Sequence, residues 1–263
     1  VACMLFDGHC KSPNYTFTKM PNTKISKEFV RACGNLGITV TTNSKQGTDC
    51  LTYRVWQNGH IAKEIMQRYG LEGKLSKEKR LPKQFFDMSL AQKYKFIGIM
   101  FTTDGYITKN SNSGITTASK ELAIDLREFL DTCGIYSYVS YKKIKSNNKL
   151  YDSWVLIIAD EYMKPVFENC YCYDKQPELL EKYERIKDLA YCNNTNYPKE
   201  LFVDKKDFRK STHKQWNRNK TFKRCIVEKF NRQTQTLNDI VYKDFVWEQI
   251  KSIEFNDNEV DMI

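Results

Sequence analysis

Two Asp-Gly steps, Asp7-Gly8 and Asp104-Gly105, are the residues of this chain whose types and spacing best suit chemistry. Each step ends a short apolar run, 1–6 or 97–101, that is patterned like the end of a packed helix. If the two helices pack side by side, their ends bring two carboxylates together, and such carboxylates repel unless divalent cations neutralise them. Oxygen ligands suit Mg²⁺, which also binds substrate phosphates, so the pair predicts metal-assisted displacement at phosphorus.

The segments that follow the two steps echo each other, which indicates an imperfect tandem duplication. After each step comes a short strand pattern and then a Ser-Lys-Glu helix start, with Ser26 and Ser119 as predicted N-caps. A lone Asp-Gly is usually an ordinary turn, but two in repeated settings favour a functional site. A hairpin pattern follows each helix, and its predicted strands are 38–42, 51–57, 136–142 and 154–159.

Each copy therefore has the pattern α-β-α-β-β-α, which predicts an α/β (α+β) fold built from two similar halves. A weaker echo relates 80–86 to 196–202 and places the end of the second half there. The predicted domains are the first half 1–90, the second half 91–202, a basic DNA-contacting extension 203–238 and a β segment 239–263.

Composition favours an intracellular protein with a polyanionic partner. The 263 residues carry a net charge of +10, and 13% of them are aromatic. The stretch 203–235 contains eleven Lys or Arg and three acidic residues, so it alone accounts for +8. Such clustering, with Trp216 and Phe222 inside it, favours nucleic acid over a merely solvated surface. No run is long and apolar enough for a membrane span, and neither a membrane nor a small-molecule partner is expected.

The nine cysteines are predicted to be free thiols that pack as small apolar residues. Their number is odd and no secretory signal is visible, which fits a reducing compartment. Cys170 and Cys172 with Cys192 lack a fourth ligand at zinc-finger spacing, so structural zinc is not favoured.

The paired motifs resemble the LAGLIDADG homing endonucleases, and more narrowly the intein-encoded type that carries two motifs in one chain. The resemblance covers 1–202 and implies two pseudo-twofold-related αββαββα halves whose saddle-shaped antiparallel sheets lie on double-stranded DNA. It implies a monomer that makes Mg²⁺-dependent double-strand breaks at a long asymmetric site. It also implies Asp7 and Asp104 as catalytic ligands of two or three Mg²⁺ ions, which Mn²⁺ can replace, with the backbone at Gly8 and Gly105 close by.

The resemblance also implies a catalytic lysine three residues before a proline, and Lys79 of Lys79-Arg80-Leu81-Pro82 matches that pattern. The corresponding position before Pro198 is Thr195, so either another basic residue serves the second half or the two strands are cut unequally. In the second motif Ile99 stands where the family has glycine, and Gly98 precedes it. Small residues such as Ala2 and Gly98 are expected to let the motif helices approach closely.

The C-terminal stretch 245–263 resembles part of an intein splicing domain, a Hint-like β segment. The terminal His-Asn pair and the N-terminal splicing nucleophile of that domain are absent from the sequence, so protein splicing by this chain is not expected.

Two groups of residues are predicted to touch DNA. Strand residues would read base edges, with Arg54 suited to guanine, although strand alternation puts half of such residues in the core. These are Tyr15, Lys19, Arg54, Tyr138, Tyr141 and Lys143. Basic residues of the C-terminal stretch would contact phosphates, and these are Lys205, Lys206, Arg209, Lys210, Lys214, Arg218, Lys220, Lys223 and Arg224.

Three other functions remain open on the sequence alone. One is a non-catalytic nucleic-acid binder on the same fold, such as a maturase or a transcription regulator, but both acidic residues are present. Another is an intein whose nuclease has decayed, which the missing second lysine would fit. A generic basic RNA-binding protein does not require paired Asp-Gly helices.

Overall fold

The computed structural model describes residues 1–187 except 46 and 147, together with the strands Asn196–Pro198 and Thr221–Lys223. The chain divides into two units, Val1–Leu189 and Ala190–Ile263. In the second unit the two short strands, β9 and β10, pair antiparallel. The rest of the predicted basic extension and the whole predicted splicing segment lie outside the described residues.

The first unit contains one series of elements twice: a helix, two strands, a helix, two strands and a closing helix. The first series comprises α1 (Ala2–Phe6), β1 (Gly8–Lys11), β2 (Asn14–Lys19), α2 (Lys24–Asn35), β3 (Thr39–Ser44), β4 (Leu51–Gln57) and α3 (Gly59–Arg68). The second comprises α4 (Leu90–Thr103), β5 (Gly105–Tyr106), β6 (Ser113–Thr117), α5 (Lys120–Asp131), β7 (Tyr138–Ser146), β8 (Lys149–Ile158) and α6 (Lys164–Asn169), followed by α7 (Gln176–Ile186).

Each series forms its own four-stranded antiparallel sheet, and the two sheets have the same strand order. The orders are β1-β2-β4-β3 and β5-β6-β8-β7. In both sheets the glycine after the aspartate starts the first strand, with Gly8 opposite Phe17 and Gly105 opposite Ile115. The predicted α+β fold with two αββαββα halves is therefore confirmed.

The two motif helices lie in the core of this unit. Leu5 of α1 is 1% exposed, and Ile97 and Met100 of α4 are fully buried. Phe6 packs on Phe96 with 5.5 Å between the ring centroids, so the two helices meet through aromatic side chains. Among the described residues, no helix is long and apolar enough to cross a membrane. All seven cysteines in the described part of the chain are free, and six of them are buried.

Two of the sequence echoes are not structural equivalents. Helix α2 is capped by Thr23, whose Oγ1 accepts a hydrogen bond from the amide of Ser26, so the predicted cap at Ser26 is wrong. In the second half Ser119 is the cap, as predicted. The hydroxyl of Thr23 satisfies the same free amide as a serine, and the loop before α2 is longer, which displaces the echo. The weaker echo also fails, since it pairs a 3₁₀ helix at Lys83–Phe85 with the strand Asn196–Pro198.

The second-half hairpin is longer than predicted. Strand β7 continues to Ser146 and β8 starts at Lys149, whereas the predicted strands were 136–142 and 154–159. Lysines alternate irregularly with apolar residues here, and the apolar ones, Ile144, Leu150 and Tyr151, are exposed, so the segment lacks the regular alternation that marks a half-buried strand. Strand β1 was missed for a similar reason, because it has only four residues and one of them is buried.

Gly98 does not mediate contact between the two motif helices, contrary to the prediction. A Cβ atom there would lie 2.2 Å from the backbone oxygen of Tyr171, so this glycine lets the chain before α7 cross close to α4. The close partner is backbone, and it cannot move aside as a flexible side chain would.

Replacing Gly98 by alanine should therefore destabilise the protein by about 1–3 kcal/mol through overpacking. The matched control is Gly34→Ala in α2, where a Cβ would meet nothing within 4 Å and where alanine favours the helix. Urea unfolding of both variants measures the contrast. Equal midpoints for the two variants would contradict the close approach.

Candidate functional site

Asp7 and Asp104 meet where the two motif helices end. Each is the C-cap of its helix, α1 and α4 respectively, and the two carboxyl groups hydrogen-bond to each other. The glycine after each aspartate is required by space. A Cβ on Gly8 would lie 2.4 Å from Cα of Met4, and one on Gly105 would lie 2.6 Å from Cα of Phe101. The strand can therefore turn back against the last helical turn and leave the carboxylate at the tip.

The surroundings of the two carboxyls shift their pKa values in opposite directions. Burial opposes ionisation of Asp7, but the hydrogen bond from Asp104 and the ion pair with Lys19 outweigh it and lower the pKa of Asp7. Removal from bulk water, followed by the hydrogen bond and charge of Asp7, raises the pKa of Asp104 to about 7, although its outer edge stays open to solvent. Of the two carboxyls, Asp104 is therefore the one that is more readily protonated, as expected where two acids share a site.

This pairing predicts a pH-dependent stability difference between the wild type and Asp104→Asn in the absence of metal. The pKa of Asp104 is about 7 in the folded state and 3.8 ordinarily, so the protonated acid favours folding and this contribution disappears as the pH rises through 7. Asparagine keeps a hydrogen-bond donor and does not titrate. The variant should gain in melting temperature relative to the wild type between pH 5 and pH 8, and a constant difference would contradict the raised pKa of Asp104.

Lys79 holds the end of the first motif helix. Its side chain is buried, and its Nζ donates to the backbone oxygens of Met4 and Gly8, both at 2.8 Å. Burial lowers the pKa of Lys79, while the charges of nearby groups including both aspartates act in the other direction. The predicted catalytic lysine thus lies beside Asp7, although it bonds to the backbone around the aspartate and not to the carboxylate.

Lys175 occupies the equivalent place in the second half, and the sequence reasoning missed it. Its Nζ donates to the backbone oxygen of Phe101 at 2.9 Å and also to that of Gly105. These oxygens lie three residues before and one residue after Asp104, the same offsets that Lys79 uses around Asp7. The unusual residue at Ile99 therefore leaves the register of the motif unchanged.

The sequence does carry a weak signal for Lys175. Lys79 follows a 3₁₀ helix, Ser76–Glu78, and Lys175 ends another, Tyr173–Lys175. Both lysines are followed within three residues by a proline, but the echo at 196–202 pointed to Thr195 instead. Burial lowers the pKa of Lys175, and the positive charge of Lys19 lowers it further.

Lys19 lies at the centre of the site, although it was predicted to read bases. Its Nζ is 2.6 Å from Oδ2 of Asp7 and 3.2 Å from the backbone oxygen of Thr103. Strand β2 ends at this residue, which brings its ammonium between the ends of the two motif helices.

The other predicted base-reading residues fall into different environments. Tyr15 is 2% exposed and donates its hydroxyl to Glu72, which argues against a base contact. Arg54 lies between the buried Tyr53 and Val55 of β4, so it projects from the opposite, outer face of the first sheet.

The two second-half tyrosines lie on opposite faces of their sheet, as their spacing predicted. Tyr138 pairs with Ile157 on the outer face, whereas Tyr141 stacks on Trp154 at 5.0 Å on the side of α5. Lys143 is exposed in the outer part of the hairpin. Lys223 is the last residue of β10, and the remaining residues predicted to contact phosphates lie outside the described residues.

The donor set at this site fits a hard divalent cation. Two carboxylates converge with their outer edges toward solvent, and backbone oxygens lie directly beside them. Within the described ranges no group of three or more His, Cys, Asp or Glu side chains could hold a metal ion. Two carboxylates suit Mg²⁺, which retains waters and takes substrate phosphate oxygens to complete its coordination.

One family model matches part of the second half. Residues 91–171 match the family model described as the LAGLIDADG-like domain. The matched residues include Asp104, and Lys175 lies just beyond them.

A curated relative and several solved structures are also similar to this chain. Over 184 residues it is 29% identical to the replication factor C small subunit of Methanocaldococcus jannaschii, a match that covers 69% of this chain. The chain spans about a tenth of that relative's length, since the match covers 10% of it.

Among solved structures, variants of the homing endonuclease I-DmoI share 13% identity with a TM-score of 0.45, over 64% of this chain and 84% of theirs. I-DmoI in complex with DNA and Mn shares 11% identity with a TM-score of 0.43, over 65% and 92%. The N-terminal LAGLIDADG domain of WhiA shares 13% identity with a TM-score of 0.42, over 63% and 78%.

Proposed function

We propose that this protein is a divalent-metal-dependent endonuclease of the homing type, which makes double-strand breaks at a long, asymmetric DNA site. The observation that carries the proposal is the repeated pairing of a carboxylate with a lysine, Asp7 with Lys79 and Asp104 with Lys175, in one centre. Two equivalent sets of groups suit a reaction that is carried out twice, once on each antiparallel strand.

The aspartates and the lysines of the centre would have different roles in phosphodiester hydrolysis. Mg²⁺, for which Mn²⁺ can substitute, would be held by Asp7 and Asp104 and would supply charge neutralisation at phosphorus and an activated water. Lys79 and Lys175 hold the backbone on both sides of each aspartate and so fix the direction of its carboxylate. Their ammonium groups would also contribute positive charge near the phosphate, whose negative charge grows in the transition state.

The outer faces of the two sheets suit DNA. In the first sheet Thr16, Arg54 and Thr41 lie side by side across three strands. The guanidinium of Arg54 donates to Asn14, which orients it on that face. A polar β-surface of this kind can enter a major groove, where arginine pairs with guanine.

The basic stretch 203–235 would supply phosphate contacts, and this gives a salt-dependence prediction. Changing both Lys205 and Lys206 to alanine should reduce the slope of log K against log salt by about two, since each phosphate contact contributes roughly 0.9. Fluorescence anisotropy over a salt series measures the slope. The control is the double variant Lys63→Ala with Lys77→Ala, which changes two exposed lysines elsewhere in the chain. Equal slopes for the two double variants would contradict the predicted phosphate contacts of Lys205 and Lys206.

We also propose that the nuclease is encoded within an intein. A match that covers most of this chain but a tenth of a curated relative fits a segment carried inside a longer protein. The resemblance of 245–263 to a splicing segment supports the same reading.

The deciding experiment is cleavage of DNA that carries the uninterrupted insertion site of the host gene, with Mg²⁺, with Mn²⁺ and with Ca²⁺. Specific linear product with Mg²⁺, made by one chain per duplex in sedimentation, is the expected result. Tight, salt-sensitive binding without cleavage in any metal would instead favour a non-catalytic DNA binder on this fold.

A further inference from the structure

Lys19 makes the two halves of the centre unequal. Its ammonium contacts a carboxylate of the first half, Asp7, and the last turn of the second motif helix at Thr103. About a fifth of its side chain is exposed, so the contact is sheltered from solvent. Among the described residues, Asp104 has no ion pair of this kind.

The strand registers identify the residue that replaces Lys19 in the second half. Gly8 lies opposite Phe17 and Gly105 lies opposite Ile115, so the positions two residues further along β2 and β6 are Lys19 and Thr117. Thr117 is neutral, and its Oγ1 accepts a hydrogen bond from the amide of Ser119. Of two otherwise repeated sites, one contains a fixed positive charge and the other does not.

A divalent ion on the Asp7 carboxylate would face this charge at close range. Mg²⁺ lies about 2.0–2.1 Å from a carboxylate oxygen, while the Lys19 ammonium is 2.6 Å from Oδ2 of the same group. The ion must therefore displace the ammonium or tolerate it within a few ångströms. A cation on Asp104 meets no such neighbour in direct contact with its carboxylate.

We propose that Lys19 acts as a built-in cation of the first half, which weakens divalent-metal binding at Asp7 and makes the second half the stronger metal site. This inference rests on the proposed function, because it assigns an order to the two halves of that centre. Under that function, the half containing Asp104 and Lys175 cuts its strand first, and a duplex nicked in one strand precedes the double-strand break.

The first test measures metal binding without DNA. The full chain is titrated with Mn²⁺ at pH 8, and free Mn²⁺ is followed by electron paramagnetic resonance. The wild type should bind one ion more tightly than a second, and Lys19→Met should bind the weaker ion roughly tenfold more tightly, because a like charge beside the site is removed. Lys63→Met, which removes an exposed charge of α3, is the matched control and should match the wild type.

The mirror variant tests the idea without removing Lys19. Thr117→Lys should place a second ammonium beside Asp104 and weaken the tighter Mn²⁺ site by a similar factor. Thermal melting of each variant shows whether it is folded. The proposal is overturned if Lys19→Met and Thr117→Lys, both folded, keep wild-type affinities, or if none of the proteins binds Mn²⁺.

Strand-specific labelling supplies the second readout. A wild-type nick that appears first in one strand, with the difference reduced in Lys19→Met, is expected; equal rates for both strands in the wild type would overturn the order of cutting. If the wild type binds two Mn²⁺ ions with different affinities but cleaves no DNA, the proposed function is contradicted, whereas the proposed effect of Lys19 on metal binding still holds.

Discussion

Asp104→Asn will leave the protein folded and able to bind DNA, but it will lower Mg²⁺-dependent double-strand cleavage about a thousandfold or more. An amide cannot replace a carboxylate as a ligand of a hard cation, and the transition-state stabilisation that such an ion supplies amounts to several kcal/mol. The fold should tolerate the change, because the carboxyl of Asp104 hydrogen-bonds to Asp7 and burial beside that aspartate raises its pKa, so a neutral side chain suits this position. An asparagine NH₂ group can donate in its place.

Asp7→Asn should lose cleavage to the same extent but should also lose stability. Its carboxylate accepts from Lys19 at 2.6 Å, and a hydrogen bond to a charged group is worth about 1.5–3 kcal/mol. Single-turnover cleavage, DNA binding and melting temperature separate the two effects. Asp87→Asn, a change at an exposed turn, is the control. Retention of a tenth or more of wild-type cleavage in Asp104→Asn would show that the pair is not the metal site.

Lys79→Met and Lys175→Met will each slow cleavage of a different strand, by about 100-fold, as expected for loss of one charge-stabilising donor. The two lysines bond to equivalent backbone oxygens around different aspartates, so each belongs to one half. Each single variant should convert supercoiled plasmid to nicked circular DNA, and the nicked form should then persist without becoming linear. The double variant should produce neither nicked nor linear DNA.

Strand specificity separates this result from general damage to the fold. Both lysines are largely enclosed, and methionine leaves their carbonyl partners without a donor, so some loss of stability is expected. A partly unfolded protein would lose both strands together, whereas a chemical role predicts opposite strand preferences for the two variants. Equal slowing of both strands by Lys175→Met would assign that lysine to structure alone.

The positions of the aspartates could be predicted from sequence because the relevant interactions are local. An apolar helix that ends in Asp-Gly places the carboxylate at its tip, and only glycine fits where the chain turns back on the last helical turn, as at Gly8 and Gly105. Two such steps in repeated settings were sufficient to predict one centre. The two-half fold followed from the same repeat, whose hairpins and capped helices each depend on a few neighbouring residues.

The lysines differ in this respect. Lys79 was predicted from the family resemblance through its spacing to Pro82, but Lys175 lies 71 residues beyond Asp104, and the sequence echo pointed to Thr195. Only the packing of the 3₁₀ turn before α7 against the end of α4 brings Lys175 to the aspartate. The pattern of a short polar strand likewise does not show which residue is turned inward, so Tyr15 and Lys19 were both expected to face DNA.

Residue types and local patterns were therefore enough to predict the two carboxylates, the repeated α+β architecture and the concentration of positive charge toward the C-terminus. These depend on residue type, on helix and strand periodicity and on backbone space, which act over a few residues. Only the packing of distant segments shows which lysines surround the carboxylates, which aspartate has the raised pKa and how the two halves differ. Those properties depend on distances between groups far apart in the chain, and electrostatic interactions follow those distances and the local exclusion of water.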